Sequence, residues 1–314
     1  MATKPELLID AASLADMERL IAAGADAFIL GEAKYGMRLP GDFNIEQMAE
    51  AVKLAHAHGA SVYAAVNNVM DNAAVETLPA YIRALADAGV DAIVFGDPAV
   101  LMAARTAAPD MKLHWNAEMT STNFATANYW GRRGASRVVL ARELNLEQII
   151  DAKANTSMAI QVQVHGMTNI YHSKRPLVQN YFEHQNKDGK LSEVPVHGKR
   201  EEGLYLIESE RPEERFPIYE DLNGTHIMSS DDLCMLENLH ELMEVNIDSF
   251  RIEGLLKSIA YNETVVRAYR AAIDAYYADP GHYVFNDEWL EAIVHVQDEA
   301  RELSYGFFYK EQVY

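Results

Sequence analysis

Cysteine is all but missing from this chain: Cys234 is the one thiol among 314 residues. That excludes an internal disulfide and any site built from several thiolates of this chain, and it points to a reducing environment. No apolar run approaches the roughly 18 residues that a membrane-spanning helix needs. The start, MATKPELLIDAAS, has neither the basic opening nor the apolar stretch and small-residue cleavage site of a secretory signal. We therefore expect a soluble, cytoplasmic protein with no membrane contact. Positive charge is scarce as well, with 27 Lys and Arg against 47 Asp and Glu for a formal net charge of −20. A field of that sign repels phosphate backbones, so this chain would bind nucleic acid only through a local basic patch or a basic partner.

What is present is a repeating pattern of short apolar runs and helical stretches. ELLIDA from Glu6, then AFILG from Ala27, SVYAAVN from Ser61, AIVFG from Ala92, KLHWNAEM from Lys112, RVVLA from Arg137, IQVQVHG from Ile160 and SFRIE from Ser249 read as strands. Between them lie amphipathic stretches such as Leu14 to Ala25 and Ile45 to His58, the latter with Asn44 as its N-cap. Eight near-continuous apolar strands alternating with helices predict an α/β fold, a parallel (β/α)8 barrel spanning residues 1–280, with an open doubly wound sheet as the alternative. About 80 residues separate the seventh and eighth runs, far more than an ordinary connection, so residues 167–247 are expected to form an insertion over the C-terminal face. Within it, the stretch after Gly166 reads as a loop, Asn186 to Arg215 as loops or a small hairpin, and Asp231 to Val245 as a helix. Residues 281–314 form a helical tail with an aromatic end.

In such a barrel, polar residues at the C-terminal ends of strands face the site. On that rule His165 is a candidate general base, with Glu118 and Glu253 as carboxylates at neighbouring strand ends. His165, His226 and Glu253 together form a candidate ligand set for a divalent metal such as zinc or iron, without the HExxH spacing that would strengthen it. Lys34, Arg38, Asn67, Arg142, Lys174, Arg175 and Lys257 are candidates for holding an anionic small molecule, a carboxylate or phosphate. Each of these has a plainer reading as a helix cap, a loop anchor or a surface ion pair. Peptidase machinery is not evident: there is no GxSxG elbow, and Cys234 sits among apolar neighbours in DDLCML.

The ordered segments ELLIDAASLADMERLIAAGADAFILG, KYGMR, LAHAHGASVYAAVN, AGVDAIVFGDPAVL, RVVLARELNLEQI, VQVHGM, IEGLLKS and VVRAYRAAIDAYY resemble the U32 family, known as collagenase-like peptidases, from Glu6 to about Tyr277. The resemblance implies either peptidase activity or oxygen-independent or prephenate-linked hydroxylation, with members acting on wobble uridine of tRNA, on ribosomal RNA cytidine or on quinone precursors. Several such members hold an iron-sulfur cluster on four cysteines. The family's signature places two of them where this chain has Asn169 and Pro176, so a cluster is not expected here. The chain resembles the short, cysteine-poor type that accompanies a longer cluster-bearing paralogue in tRNA 5-hydroxyuridine formation. A paralogue complex or a homodimer is the expected assembly, with tRNA contacted only through the complex. A peptidase and a non-catalytic binding subunit remain the alternatives.

Overall fold

The computed structural model describes residues 3–116, 122–187 and 203–311. β1 (Glu6–Asp10), β2 (Ala27–Leu30), β3 (Ser61–Val66), β4 (Ala92–Phe95), β5 (Lys112–Asn116), β6 (Ala135–Val139) and β7 (Ala159–Gly166) lie side by side in chain order. Between them run α1 (Leu14–Ala23), α2 (Ile45–Ala57), α3 (Asn72–Asp87), α4 (Pro98–Ala107), α5 (Phe124–Gly131) and α6 (Leu146–Ala154). The insertion follows, with β8 (Asn169–Ser173), α7 (Leu177–Lys187), β9 (Tyr205–Glu208), β10 (Arg211–Asp221), β11 (Gly224–Met228), β12 (Asp232–Cys234) and α8 (Leu239–Glu244). β13 (Ser249–Glu253) then pairs in parallel with β7 on one side and β1 on the other, which closes an eight-stranded parallel barrel. The chain continues through α9 (Ile259–Ala278), α10 (Asp287–Val296) and β14 (Leu303–Ser304).

Local sequence explains the helix starts. Ser13, Asn44, Asp71, Asp97, Asn123, Asn145 and Ser258 each cap a helix by accepting a backbone N–H of the first turn. Asn44 with Gln47 and Asn145 with Gln148 complete reciprocal capping boxes, each cap contributing about 1 kcal/mol. The strands are buried on both faces, as parallel strands under helices must be. Leu7, Ile9, Phe28, Val62, Ile93 and Phe95 point outward into the helix layer. Leu8, Ala27, Ile29, Tyr63, Ala65, Val94 and Val139 fill the lumen. Below that layer Glu6 accepts from Arg137 at 2.6 Å and from Ser249 at 2.8 Å, and also from the Tyr63 hydroxyl, so a polar cluster centred on the Glu6 carboxylate fills the closed end.

One irregularity decides what faces the lumen. Arg251 pairs with Gln163 but Ile252 pairs with His165, so two residues of β7 oppose one of β13. Such a bulge sets its neighbouring side chains on one side of the sheet. Alternation from Gln161 and Gln163 would otherwise turn His165 inward; instead it lies outside the barrel beneath α9. Gly166 comes back opposite Glu253 at φ +98°, where a Cβ would meet the Glu253 carbonyl oxygen at 2.2 Å. Only glycine fits there.

The insertion departs from expectation at both its ends. Residues after Gly166 form β8, not a loop, because β11 pairs with it; the small sheet runs β8-β11-β10-β9. The expected hairpin is β9 and β10, and residues 188–202 lie outside the described residues. Asp231 to Val245 is not one helix: β12 comes first, pairing antiparallel with β7 (Cys234 with His165) and parallel with β14, and only α8 is helical. A buried clasp fastens this region to the tail. Asp232 accepts from Arg301 at 2.8 Å, Lys257 at 2.5 Å and Gln297 at 2.7 Å.

Candidate functional site

The barrel mouth gathers polar side chains from five strand ends. Arg251 and Glu253 alternate along β13 and face inward together; Asn116 ends β5, while Asn67, Arg38 and Arg142 sit just past β3, β2 and β6. Arg38 holds a left-handed backbone, φ +56°, a conformation costing a non-glycine residue about 1–2 kcal/mol, and its side chain is buried at the mouth. Arg251 donates to Glu253 at 3.0 Å and to Asp10 at 3.3 Å, and Arg142 reaches the other Glu253 oxygen at 3.4 Å. The space between these groups, about 20 Å³, is no larger than a water. It adjoins an outer recess of about 370 Å³, and Met37, Arg38, Asn67 and Asn116 line both.

The two carboxyls are driven apart. Burial pushes Asp10 well above the usual carboxylate range, and the neighbouring Glu253 charge adds to it. Burial acts on Glu253 in the same direction, but the Arg251 guanidinium, a hydrogen bond from Asp10 and the charges of Arg142 and Arg38 outweigh it and hold Glu253 low. Asp10 therefore keeps the proton and Glu253 the charge, a split that marks pairs able to act as acid and base. Among the described residues, three guanidinium groups gather around the Glu253 charge there.

Of the residues singled out from sequence, Arg38, Asn67, Arg142 and Glu253 meet here. Lys34 and Lys174 instead flank a separate open cleft of about 600 Å³, where Lys34 donates to Thr77 and Lys174 to the Val69 carbonyl. Arg175 is exposed on the insertion. Lys257 is corrected to a structural role, since its ammonium is held by Asp232 in the clasp. Glu118 lies outside the described residues. The metal triad is overturned: no group of three or more His, Cys, Asp or Glu able to hold an ion occurs among the described residues. His165 bonds to the Tyr261 hydroxyl at 2.9 Å and lies 3.4 Å from that of Tyr269, while His226 stacks on Tyr219 and His172 and bonds to Asp221 at 3.2 Å. Burial brings the His165 imidazole down to about 3, so it is neutral at physiological pH and shut away from the mouth.

The sequence model of peptidase family U32 matches residues 12–313. The chain belongs to that family. This U32 chain is 50% identical over 312 residues to the tRNA hydroxylation protein P2 of Bacillus subtilis, covering 99% of each. It is 33% identical to the tRNA hydroxylation protein P1 of the same organism, covering 99% of this chain and 74% of the relative. Against the tRNA hydroxylation protein P of Escherichia coli the figure is 31%, over 97% of this chain and 78% of that protein. A solved U32 peptidase superposes with a TM-score of 0.50 at 17% identity, covering 81% of this chain and 94% of that one, which shows the shared barrel fold.

Among the described residues, the two positions at which the family's signature places cluster cysteines hold no thiol. Asn169 spends its amide on the Tyr171 and Ile227 carbonyls, Pro176 carries no ligating group, and Cys234 is buried in β12 with its thiol pushed up by burial and set 3.8 Å from the Tyr269 hydroxyl. The site residues that strand-end reasoning missed are Arg251, Asn116 and Gln161. The signal was present: in SFRIE and IQVQV the polar residues recur at every second position, which on a two-sided strand means a polar lumen face. Among the described residues no helix is long and apolar enough to cross a membrane.

Proposed function

We propose that this chain acts in tRNA hydroxylation, as one subunit of an assembly that forms 5-hydroxyuridine at the wobble position, beside a longer cluster-bearing U32 paralogue. The end-to-end 50% identity to a tRNA hydroxylation protein is the observation that carries this reading. A second, longer relative with a related name in the same organism supports a paralogue as partner. The net charge of −20 fits a division of labour in which the partner brings the basic RNA-binding surface. At the mouth, Arg38, Arg142 and Arg251 suit a small carboxylate- or phosphate-bearing co-reactant, with Glu253 and Asp10 as the proton-handling pair.

Mass spectrometry of tRNA nucleosides from a strain lacking this gene tests the proposal. Wobble 5-hydroxyuridine should fall, return with the wild-type gene, and fail to return with Arg251→Met. Unchanged modification in the deletion strain overturns it. Coexpression with the paralogue should give a complex that co-elutes on size exclusion. A peptidase reading has the family name behind it but gains nothing from the site: Cys234 is buried and held as a thiol, hence no nucleophile.

A further inference from the structure

Five consecutive residues of the loop between β2 and α2 are fastened through their backbones to three asparagines. Asn223, at the tip of the β10–β11 hairpin of the insertion, donates from Nδ2 to the carbonyls of Ala33 at 3.0 Å and Gly36 at 3.1 Å. Asn68, just past β3, donates from Nδ2 to the Lys34 carbonyl at 3.2 Å and from its backbone N–H to the Tyr35 carbonyl at 3.0 Å. Asn67 accepts from the Met37 N–H at 2.9 Å. Asn223 and Asn68 are each 8% exposed, and they join one another, Asn68 Nδ2 donating to Asn223 Oδ1 at 2.6 Å. Every polar group of Asn223 is engaged, since its N–H donates to Asp221 Oδ1 at 2.8 Å and its carbonyl lies 2.9 Å from His172 Nε2.

The next residue is Arg38, whose backbone sits at φ +56° and whose side chain lines the mouth. A left-handed arginine persists only where its surroundings over-determine it, and the asparagine bonds supply that constraint immediately upstream. Of the three amides, Asn223 is the one contributed by the insertion, 190 and 187 residues along the chain from the carbonyls it holds. We propose that Asn223 is a positioning residue for the barrel mouth: by tying the insertion to the β2–α2 loop it sets the Arg38 guanidinium, and Asn67 beside it, where an anionic co-reactant is held. The role needs a carboxamide and not merely its shape. An aspartate suits a tight turn as well as an asparagine does, but it turns a carboxylate oxygen toward two carbonyls and has no N–H to give them. The role at the mouth rests on the function proposed above; the clamp itself does not.

Hydrogen exchange on the purified full chain, read by mass spectrometry, tests the clamp. With Asn223→Asp, peptides covering residues 33–38 and 67–69 should exchange at least about tenfold faster, as the loss of a buried hydrogen bond implies, while those from β4, β5 and β6 keep their rates. Asn68→Asp, which leaves the hairpin turn untouched, should give the same signature. Leu222→Ala, beside Asn223 with its side chain 89% exposed, should give none. In the deletion strain, Leu222→Ala should restore wobble 5-hydroxyuridine, and Asn223→Asp should leave it at least about tenfold lower through misplacement of Arg38. Wild-type exchange in Asn223→Asp, faster exchange throughout the chain, or the same loosening in Leu222→Ala overturns the clamp. Loosened loops beside full complementation by Asn223→Asp overturn the positioning role. Unchanged tRNA nucleosides in the deletion strain overturn the RNA reading and leave the exchange rates to judge the clamp.

Discussion

Asp232→Ala should be the most damaging single change outside the barrel lumen. The side chain is fully buried, and its two oxygens hold Arg301 (5% side-chain exposure), Lys257 (8%) and Gln297. Removing the carboxylate leaves two buried cations facing each other with only the more distant, exposed Asp298 charge to offset them. Stranding charge in this way costs about 3–5 kcal/mol. For a chain of this length about 2 °C of melting temperature is lost per kcal/mol, so the midpoint should fall by roughly 6–10 °C in scanning calorimetry. Glu299→Ala, on a neighbouring exposed position, should stay within about 1 °C. Burial alone would push the Asp232 carboxyl up, but hydrogen bonds from Arg301 and the charges of Lys257 and Arg301 hold it below its ordinary 3.8. Lys257, which shares that one carboxylate with a second cation, is brought down by burial. A carboxyl depressed in the fold stabilises above its unfolded value and loses that contribution as pH falls. The gap between wild type and Asp232→Ala in urea unfolding should therefore be constant from pH 7 to about 5 and narrow below about pH 4. A drop under about 2 °C at pH 7 would refute the account of the clasp.

His165 carries a different pH signature. Its imidazole is held neutral in the fold, so the unfolded chain takes up a proton first, and stability declines from about pH 6.5 towards 3. His165→Gln should flatten that decline by about 1.4 kcal/mol per pH unit between pH 6 and 4, measured by urea titration at each pH; an unaltered slope would place the imidazole in water. Gly166→Ala should destabilise by roughly 2–4 kcal/mol, from a Cβ at 2.2 Å from a carbonyl oxygen combined with a left-handed backbone. Far-ultraviolet melts would show it, and a neutral result would mean that β7 and β13 do not meet as described. Glu253→Gln should leave the chain folded, since the amide oxygen still accepts from Arg251 and Asp10, freed of the neighbouring charge that helps hold its proton, can ionise in its place, and should abolish complementation of tRNA modification.

The barrel was legible because each unit announces itself twice, through an apolar run and through a capping residue. Asn44 was read as an N-cap from its place before a helical period, and it forms a full capping box. Asp97, just past β4, caps α4 in the same way by accepting from the Ala99 amide. At the mouth, Arg38, Asn67, Arg142 and Glu253 were found because strand ends in a barrel converge by geometry. The failures share a cause in pairing partners distant along the chain. The β7 bulge is set by how Ile252 meets His165, and no local pattern in IQVQVHG encodes it. Likewise DLC becomes a strand because β7 and β14 flank it, overriding a local pattern that reads as helical. Lys257 looked like a free cation because its counter-charge lies 25 residues upstream in sequence.

Arg142 borders both the barrel mouth and a second recess, of about 390 Å³, lined by Phe307 and Phe308 of the tail. Occupants of the two compartments would draw on one guanidinium, so their affinities are thermodynamically linked. Whatever preference the first imposes on the second is returned in equal measure, and a protein with Arg142→Met would bind each as though the other were not there.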